Sequence, residues 1–244
     1  MRRIRIHVDR DLAPGDELDL PEAAAAHVAR VLRLRAGDEV TLFNGDGADY
    51  PAALLAVERG RARARIADRV PAATESPLPL VLAQALARGD KMDFVVQKAV
   101  ELGVAGVVPL VTERSEVRLD AVRGEKRMER WRAVIASACE QCGRAQLPYI
   151  APPQPLAEWT RGLAADGSLR LALLPGSGQR VRDLRLPAAG AIVAVGPEGG
   201  FGDRDVALLT GAGFSGLDLG PRILRTETAG LAALAALQAC HGDW

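Results

Sequence analysis

Little of this 244-residue chain is lysine: Lys91, Lys98 and Lys126 are the only ones, and arginine makes up the rest of the 31 basic residues. Asp and Glu also number 31, so the formal net charge is zero. A broad basic field for nucleic acid is thereby excluded, and any such affinity must come from local patches. Arginine forks suit bidentate phosphate contacts, although a coding preference for Arg and Ala explains the bias equally well. Cysteine is scarce too. Cys139, Cys142 and Cys240 make no disulfide framework, and the lone C-x-x-C of Cys139 and Cys142 falls inside a helical pattern, Glu125–Cys142. With no second pair, and with His7, His27 and His241 scattered, no zinc or redox motif is completed, so no metal is expected. No apolar run reaches membrane-spanning length, and the opening Met-Arg-Arg-Ile-Arg-Ile-His lacks the apolar stretch of a signal peptide. A cytoplasmic protein with no membrane partner is the expectation.

What is present is enough apolar residue, 48%, to bury one large core or two smaller ones. Residues 1–72 read as a small β-rich domain. Ile4, Ile6 and Val8 alternate with Arg5 and His7 as in a half-buried strand. Pro21 to Leu32 reads as a helix with Val28, Val31 and Leu32 on its apolar side. Glu39–Phe43 and Tyr50–Val57 flank an Asn44-Gly45-Asp46-Gly47 hairpin turn. The period of two in Arg61–Ile66 puts Arg61, Arg63 and Arg65 on one strand face, either a solvated face or a phosphate-contacting one. Arg30, Arg33 and Arg35 form a second cluster. The Pro-bearing stretch Val70–Pro79 reads as the boundary.

From residue 73 onward, strands alternate with helices, the signature of a parallel α/β sheet. The strands are Leu80–Leu86, Val104–Val111, Leu169–Leu174, Ala191–Val195 and Gly216–Leu219. Lys91–Leu102 and Glu125–Cys142 are the helices between them, and Thr112–Val117 is a loop at the carboxyl end of its strand. Ala191–Val195 is continuously apolar, as in a strand buried on both faces, and runs into Gly196-Pro197-Glu198-Gly199-Gly200-Phe201. Leu219-Gly220-Pro221-Arg222-Ile223-Leu224-Arg225 makes a second such loop, followed by a helix with Thr226 as N-cap and Glu227 in its first turn. Two loops of this kind belong at the carboxyl edge of one sheet, where open α/β folds bind ligands.

Those two loops resemble the signature of the RsmE family. Further likeness lies in Lys91-x-Asp93, in Gln97-Lys98-Ala99-x-Glu101-Leu102-Gly103, and in Glu113-Arg114-Ser115. Arg130-Trp131, Ala138-Cys139-Glu140-Gln141-x-Gly143-Arg144 and the Arg30–Asp38 stretch are similar as well, so the resemblance spans almost the whole chain. Phe94, Val100 and Cys142 depart from what relatives commonly show. The resemblance implies S-adenosylmethionine-dependent methylation of N3 of a uridine in 16S, small-subunit ribosomal RNA. It also implies a SPOUT-type α/β domain with a deep trefoil knot at about 170–244, a PUA-like β-barrel over 1–72, and a homodimer. Leu174, Gly196, Pro197, Glu198, Gly199, Gly200, Leu219, Gly220, Arg222, Ile223 and Leu224 would then enclose the cofactor. Arg225 and Arg114 are candidate donors to the substrate, and Glu227 or Glu101 the candidate base or arginine orienter. Arg30, Arg33, Arg35, Lys91, Lys98 and Arg144 are candidate RNA contacts. A nicotinamide-dependent oxidoreductase is the rival enzyme, but Gly176-Ser177-Gly178 is followed by Val181 where the third fingerprint glycine belongs. A non-catalytic RNA-binding module is the other rival.

Overall fold

The computed structural model describes residues 4–58, 60–116 and 121–244. It divides into two compact units, Met1–Glu75 with Ala136–Leu147, and Ser76–Ile135 with Pro148–Trp244.

In the first unit, the alternating residues form β1 (Arg5–His7), β2 (Glu17–Asp19), β3 (Glu39–Phe43), β4 (Ala48–Glu58), β5 (Arg61–Ile66) and β6 (Val70–Pro71). Their order is β1-β3-β4-β5-β2, with β6 on β4; β1 runs parallel to β3 and the other pairs are antiparallel. Ala62, Ala64 and Ile66 of β5 point inward while Arg61, Arg63 and Arg65 stay exposed, as a period of two demands. Glu17 of β2 faces that stripe and pairs with Arg63 at 3.1 Å and with Arg65. The stripe is therefore partly neutralised.

α1 (Glu22–Ala26) continues into a π-helical turn, His27–Val31, closed by Leu32 N–H donating to the His27 carbonyl at 3.0 Å. This corrects the expected apolar face. Val28 is fully buried but Val31 is 65% exposed, because the wider turn rotates it away from where a 3.6-residue helix would hold it.

The segment Ala136–Leu147 belongs to this unit through a set of largely part-buried polar bonds. Arg5 donates to Asp49 at 2.6 Å and to the Arg144 carbonyl at 3.0 Å, and Arg144 Nε donates to Glu75 Oε2 at 2.9 Å. Glu75 Oε1 also accepts the amides of Ala145 and Gln146 at 2.9 Å each. Arg144, expected to contact RNA, is only 6% exposed and serves as part of this clamp.

In the second unit the apolar runs form a wholly parallel sheet. Its strands are β7 (Leu80–Ala85), β8 (Gly106–Val111), β9 (Tyr149–Ile150), β10 (Gln154–Pro155), β11 (Leu169–Leu173), β12 (Ala191–Val195) and β13 (Ser215–Leu217). The order is β10-β8-β7-β12-β11-β13, with β9 beside β8. β12 is buried at every position, as its unbroken apolar run required. The helices are α2 (Lys91–Glu101), α3 (Ala121–Cys142), α4 (Leu156–Arg161), α5 (Asp203–Gly211) and α6 (Thr226–His241). One sheet face buries Val108, Ile192 and Ala194 with Trp159 of α4, Leu209 of α5 and Phe214. α6 lies close to β7 and β12: a Cβ on Gly230 would sit 3.0 Å from Leu82 Cδ1 and 3.3 Å from Val195 Cγ2. Among the described residues no helix is long and apolar enough to cross a membrane.

Two expectations shift here. α3 begins at Ala121, ahead of the expected Glu125, and Val117 of the preceding loop lies outside the described residues. Thr226 is the first residue of α6, not its cap; Arg225 holds the cap position, and no side chain bonds there. The Thr226 hydroxyl is committed elsewhere.

Candidate functional site

Parallel strands deliver their following loops to one sheet edge, and β11 lies between β12 and β13, so the loops after all three adjoin. They enclose a cavity of about 580 Å³, within the size range of small-molecule sites. Leu173 and Leu174 line it from β11. Gly196, Pro197, Glu198, Gly200 and Phe201 line it after β12, and Leu219, Gly220, Arg222, Ile223, Leu224 and Arg225 after β13. Every residue expected to hold a cofactor is among these except Gly199, whose carbonyl instead accepts from Arg114 Nη1 at 2.8 Å. A side chain at Gly196 would drive its Cβ to 2.9 Å from Phe201 N and 3.0 Å from Gly200 C, so this turn tolerates only glycine. Among the described residues, the amides of Leu219, Ile223 and Leu224 donate to no protein acceptor. Unpaired amides beside apolar side chains are what a polar ring edge recognises.

The two principal loops are tied together below the cavity. Thr226 Oγ1 donates to the Gly196 carbonyl at 2.6 Å and accepts from Gln84 Nε2 of β7 at 2.9 Å. All three groups are buried, so each bond replaces water that cannot reach them. A second tie joins the loops after β8 and β12. The carboxylate of Asp205, 3% exposed, accepts the Glu113 amide at 3.1 Å and the Gly202 amide at 3.1 Å. Arg114, next to Glu113, is thereby set against Gly199.

Charge at the cavity centres on Lys91, the first residue of α2. Its ammonium lies 3.1 Å from Glu198 Oε1 and 3.2 Å from Glu227 Oε2. Hydrogen bonding to Glu198, then to Glu227, holds the ammonium pKa above its ordinary value despite partial burial. Burial works to raise the Glu198 carboxyl, but amide bonds and Lys91 outweigh it and hold the pKa below the usual range. The Glu227 carboxyl is lowered first by its own backbone amide, then by Lys91 and Arg225, against a smaller burial effect. A carboxyl held below its ordinary pKa is a weaker base.

Other candidates are not brought here. Glu101 pairs with Lys98 at 2.7 Å near the far end of α2, which runs away from the carboxyl edge toward the start of β8. Ten residues of helix separate Glu101 from Lys91, about 15 Å. Glu101 thus stands apart from the cavity. Arg30, Arg33 and Arg35 are exposed in the first unit and, among the described residues, form no ion pair. Cys139 is buried, its thiol pushed up to about 12 by that burial, and no cluster of His, Cys, Asp or Glu among the described residues could hold a metal.

A family model described as an RNA methyltransferase domain matches residues 74–238, well over half the chain, and one described as an RNA methyltransferase PUA domain matches residues 20–67. The ribosomal RNA small subunit methyltransferase E of Neisseria gonorrhoeae, solved with S-adenosylmethionine, is 39% identical, with 99% of each chain covered and a TM-score of 0.92. The chain belongs to the ribosomal RNA small subunit methyltransferase E family. A Legionella pneumophila protein, solved in complex with the bound cofactor S-adenosylmethionine, is 42% identical, with 100% of each chain covered and a TM-score of 0.94. The Synechocystis member of the family is 33% identical, over 90% of this chain and 72% of that one. Membership accounts for the parallel sheet and its PUA-like companion, and it bears out the resemblance of the two loops.

Family motifs did not disclose three residues that organise the site. Gln84 and Asp205 read as an ordinary strand polar residue and a helix N-terminal acid, and only their long-range partners set them apart. Asp218, which lines the cavity, accepts the Gly220 amide at 2.9 Å and so shapes the loop after β13.

Proposed function

We propose that the protein transfers a methyl group from S-adenosylmethionine to N3 of a specific uridine in 16S ribosomal RNA. The observation that carries this reading is the cavity bounded by the loops after β11, β12 and β13, in a member of this methyltransferase family. Its residues suit the cofactor. Leu174, Leu219, Ile223 and Leu224 offer apolar contact for an adenine and ribose, and the free amides of Leu219, Ile223 and Leu224 offer donors to the adenine edge. Glu198 and Asp218 offer acceptors, and Arg222 and Arg225 offer cations for a carboxylate. When bound, the cofactor would supply a methyl group activated on a sulfonium, with sulfur as the leaving group.

The chain's own task is to hold the uracil in line, keep water out, and favour loss of the N3 proton. Arg225 at the cavity and Arg114 beside Gly199 are proposed to hold the nucleotide. Glu227 is proposed as an orienter of Lys91 and Arg225, because its lowered pKa makes it a poor base.

Residues 1–72 are proposed to hold RNA, chiefly through Arg30, Arg33 and Arg35, and 73–244 to carry out transfer. A knot within about 170–244 is proposed as well. It is supported by Asp218 N–H donating to the Gln179 carbonyl at 2.8 Å and by the contact of His241 with the Val181 carbonyl at 3.2 Å. Both put the last segment against the connection from β11 to β12. A homodimer working in the cytoplasm, where ribosomal subunits are assembled, completes the reading. Calorimetric titration with S-adenosylmethionine and with NAD tests it: saturable binding of the first alone is expected. Binding of NAD alone would point to an oxidoreductase, and binding of neither to an RNA-binding module.

A further inference from the structure

We propose that Lys91 is a catalytic residue, its ammonium stabilising the uracil anion formed when N3 gives up its proton. The inference rests on the function proposed above and deepens it. N3 of uracil is a poor nucleophile while protonated. Breaking the N3–H bond sends the proton to water and leaves the electron pair spread over N3, O2 and O4. A cation fixed beside those oxygens makes that ionisation easier.

Three observations favour Lys91 for the task. Its side chain lines the cavity itself, so it can touch a base entering there. Glu198 Oε1 accepts one of its three donors and Glu227 Oε2 lies in ion-pair range at 3.2 Å, so the side chain is held from the loop after β12 and from α6 with a donor to spare. The same two carboxylates raise its pKa above the ordinary value and so favour the charged form. Glu198 and Glu227, held on Lys91 with lowered pKa values, are weakened as bases, and the proposal sends the proton to water. The charged groups around Lys91 are few. Glu198, Glu227, Asp218, Arg222 and Arg225 stand at the cavity or directly behind it. On the helix side Asp90 and Asp93 are paired with Arg130, and in the loop after β7 Arg88 is paired with Glu116. Arg114 is turned to Gly199.

The test uses the full-length protein and small ribosomal subunits from cells lacking the enzyme. Rates of N3-methyluridine formation are followed against pH for the parent, Lys91→Met and Lys91→Arg. In parallel, affinity for the subunit is measured with the unreactive product S-adenosylhomocysteine bound. The expected result for Lys91→Met is a kcat loss of about 10²–10³-fold. Its rising pH–rate limb should move toward alkali, with KM for the subunit unchanged at neutral pH, where bound uracil stays protonated, and affinity for S-adenosylmethionine unchanged throughout. Lys91→Arg recovers part of the rate. The parent's subunit affinity should rise with pH as bound uracil ionises, and that rise should flatten in Lys91→Met. A raised KM with an unmoved pH limb would overturn the proposal by making Lys91 an RNA anchor. Cofactor affinity falling in step with rate would overturn it by making Lys91 a cofactor ligand. A parent protein that binds S-adenosylmethionine yet labels another nucleoside would sink the underlying function, a result that neither variant can mimic.

Discussion

Thr226 Oγ1 donates to the Gly196 carbonyl across 2.6 Å, joining the start of α6 to the end of β12 beneath the cavity. The residues are 30 apart in sequence: Gly196 opens one of the two loops proposed to hold the cofactor, and Thr226 directly follows the other. Replacing Thr226 with Val keeps the shape and removes the hydroxyl, leaving the Gly196 carbonyl and one Gln84 donor unpaired in the interior. The expected cost is about 1–3 kcal/mol of stability, with weaker binding of S-adenosylmethionine. Denaturant unfolding and calorimetry measure the two, and Thr226→Ser should restore both.

Asp205 makes a parallel prediction for the other side of the site. Asp205→Asn turns one acceptor oxygen into a donor facing the amides of Glu113 and Gly202. Cofactor affinity should fall, because the turn from Gly196 to Gly202 loses its anchor. Methylation should fall further, because Arg114 loses its placement. Comparing the two losses in one preparation separates these effects; equal losses would remove Arg114 from the account.

The two arginine groups of the first unit are predicted to differ. Changing Arg30, Arg33 and Arg35 together to Ala should weaken subunit binding and lower its salt slope by about three. Cofactor affinity should not move. Changing Arg63 and Arg65, which already pair with Glu17, should do less. Filter binding across salt concentrations reads both slopes.

The Lys91 cluster sets a pH window. Glu198 and Glu227 have folded pKa values below the ordinary 4.5, so their contribution is present above 4.5 and is lost as pH falls through the lowered values. Lys91 is raised above 10.5, so its contribution is full below 10.5 and is lost as pH climbs through the raised value. Unfolding midpoints should therefore stay level between these limits as far as the cluster governs them. Glu198→Gln with Glu227→Gln should blunt the fall on the acid side.

Much of this was legible in the residues. The continuous apolar run of β12 and the Gly-Pro turns after β12 and β13 located the sheet edge, and the period of two in β5 gave its faces. What could not be read depended on distant partners. Arg144 looks like an exposed helix-end cation until Glu75, 69 residues away, accepts from it. Val31 fits an apolar stripe until a π turn shifts its phase. Thr226 has the chemistry of a cap, and only the approach of Gly196 gives its hydroxyl a stronger use. Glu101 shares a motif with Lys98, but the direction of α2 carries both toward the other edge of the sheet.

The most direct measurement is nucleoside analysis of 16S ribosomal RNA. Small subunits from cells lacking the enzyme are incubated with the protein and methyl-labelled S-adenosylmethionine. The account predicts label in N3-methyluridine at a single position. Label confined to any other nucleoside, or none from a protein that binds both cofactor and subunit, would contradict it.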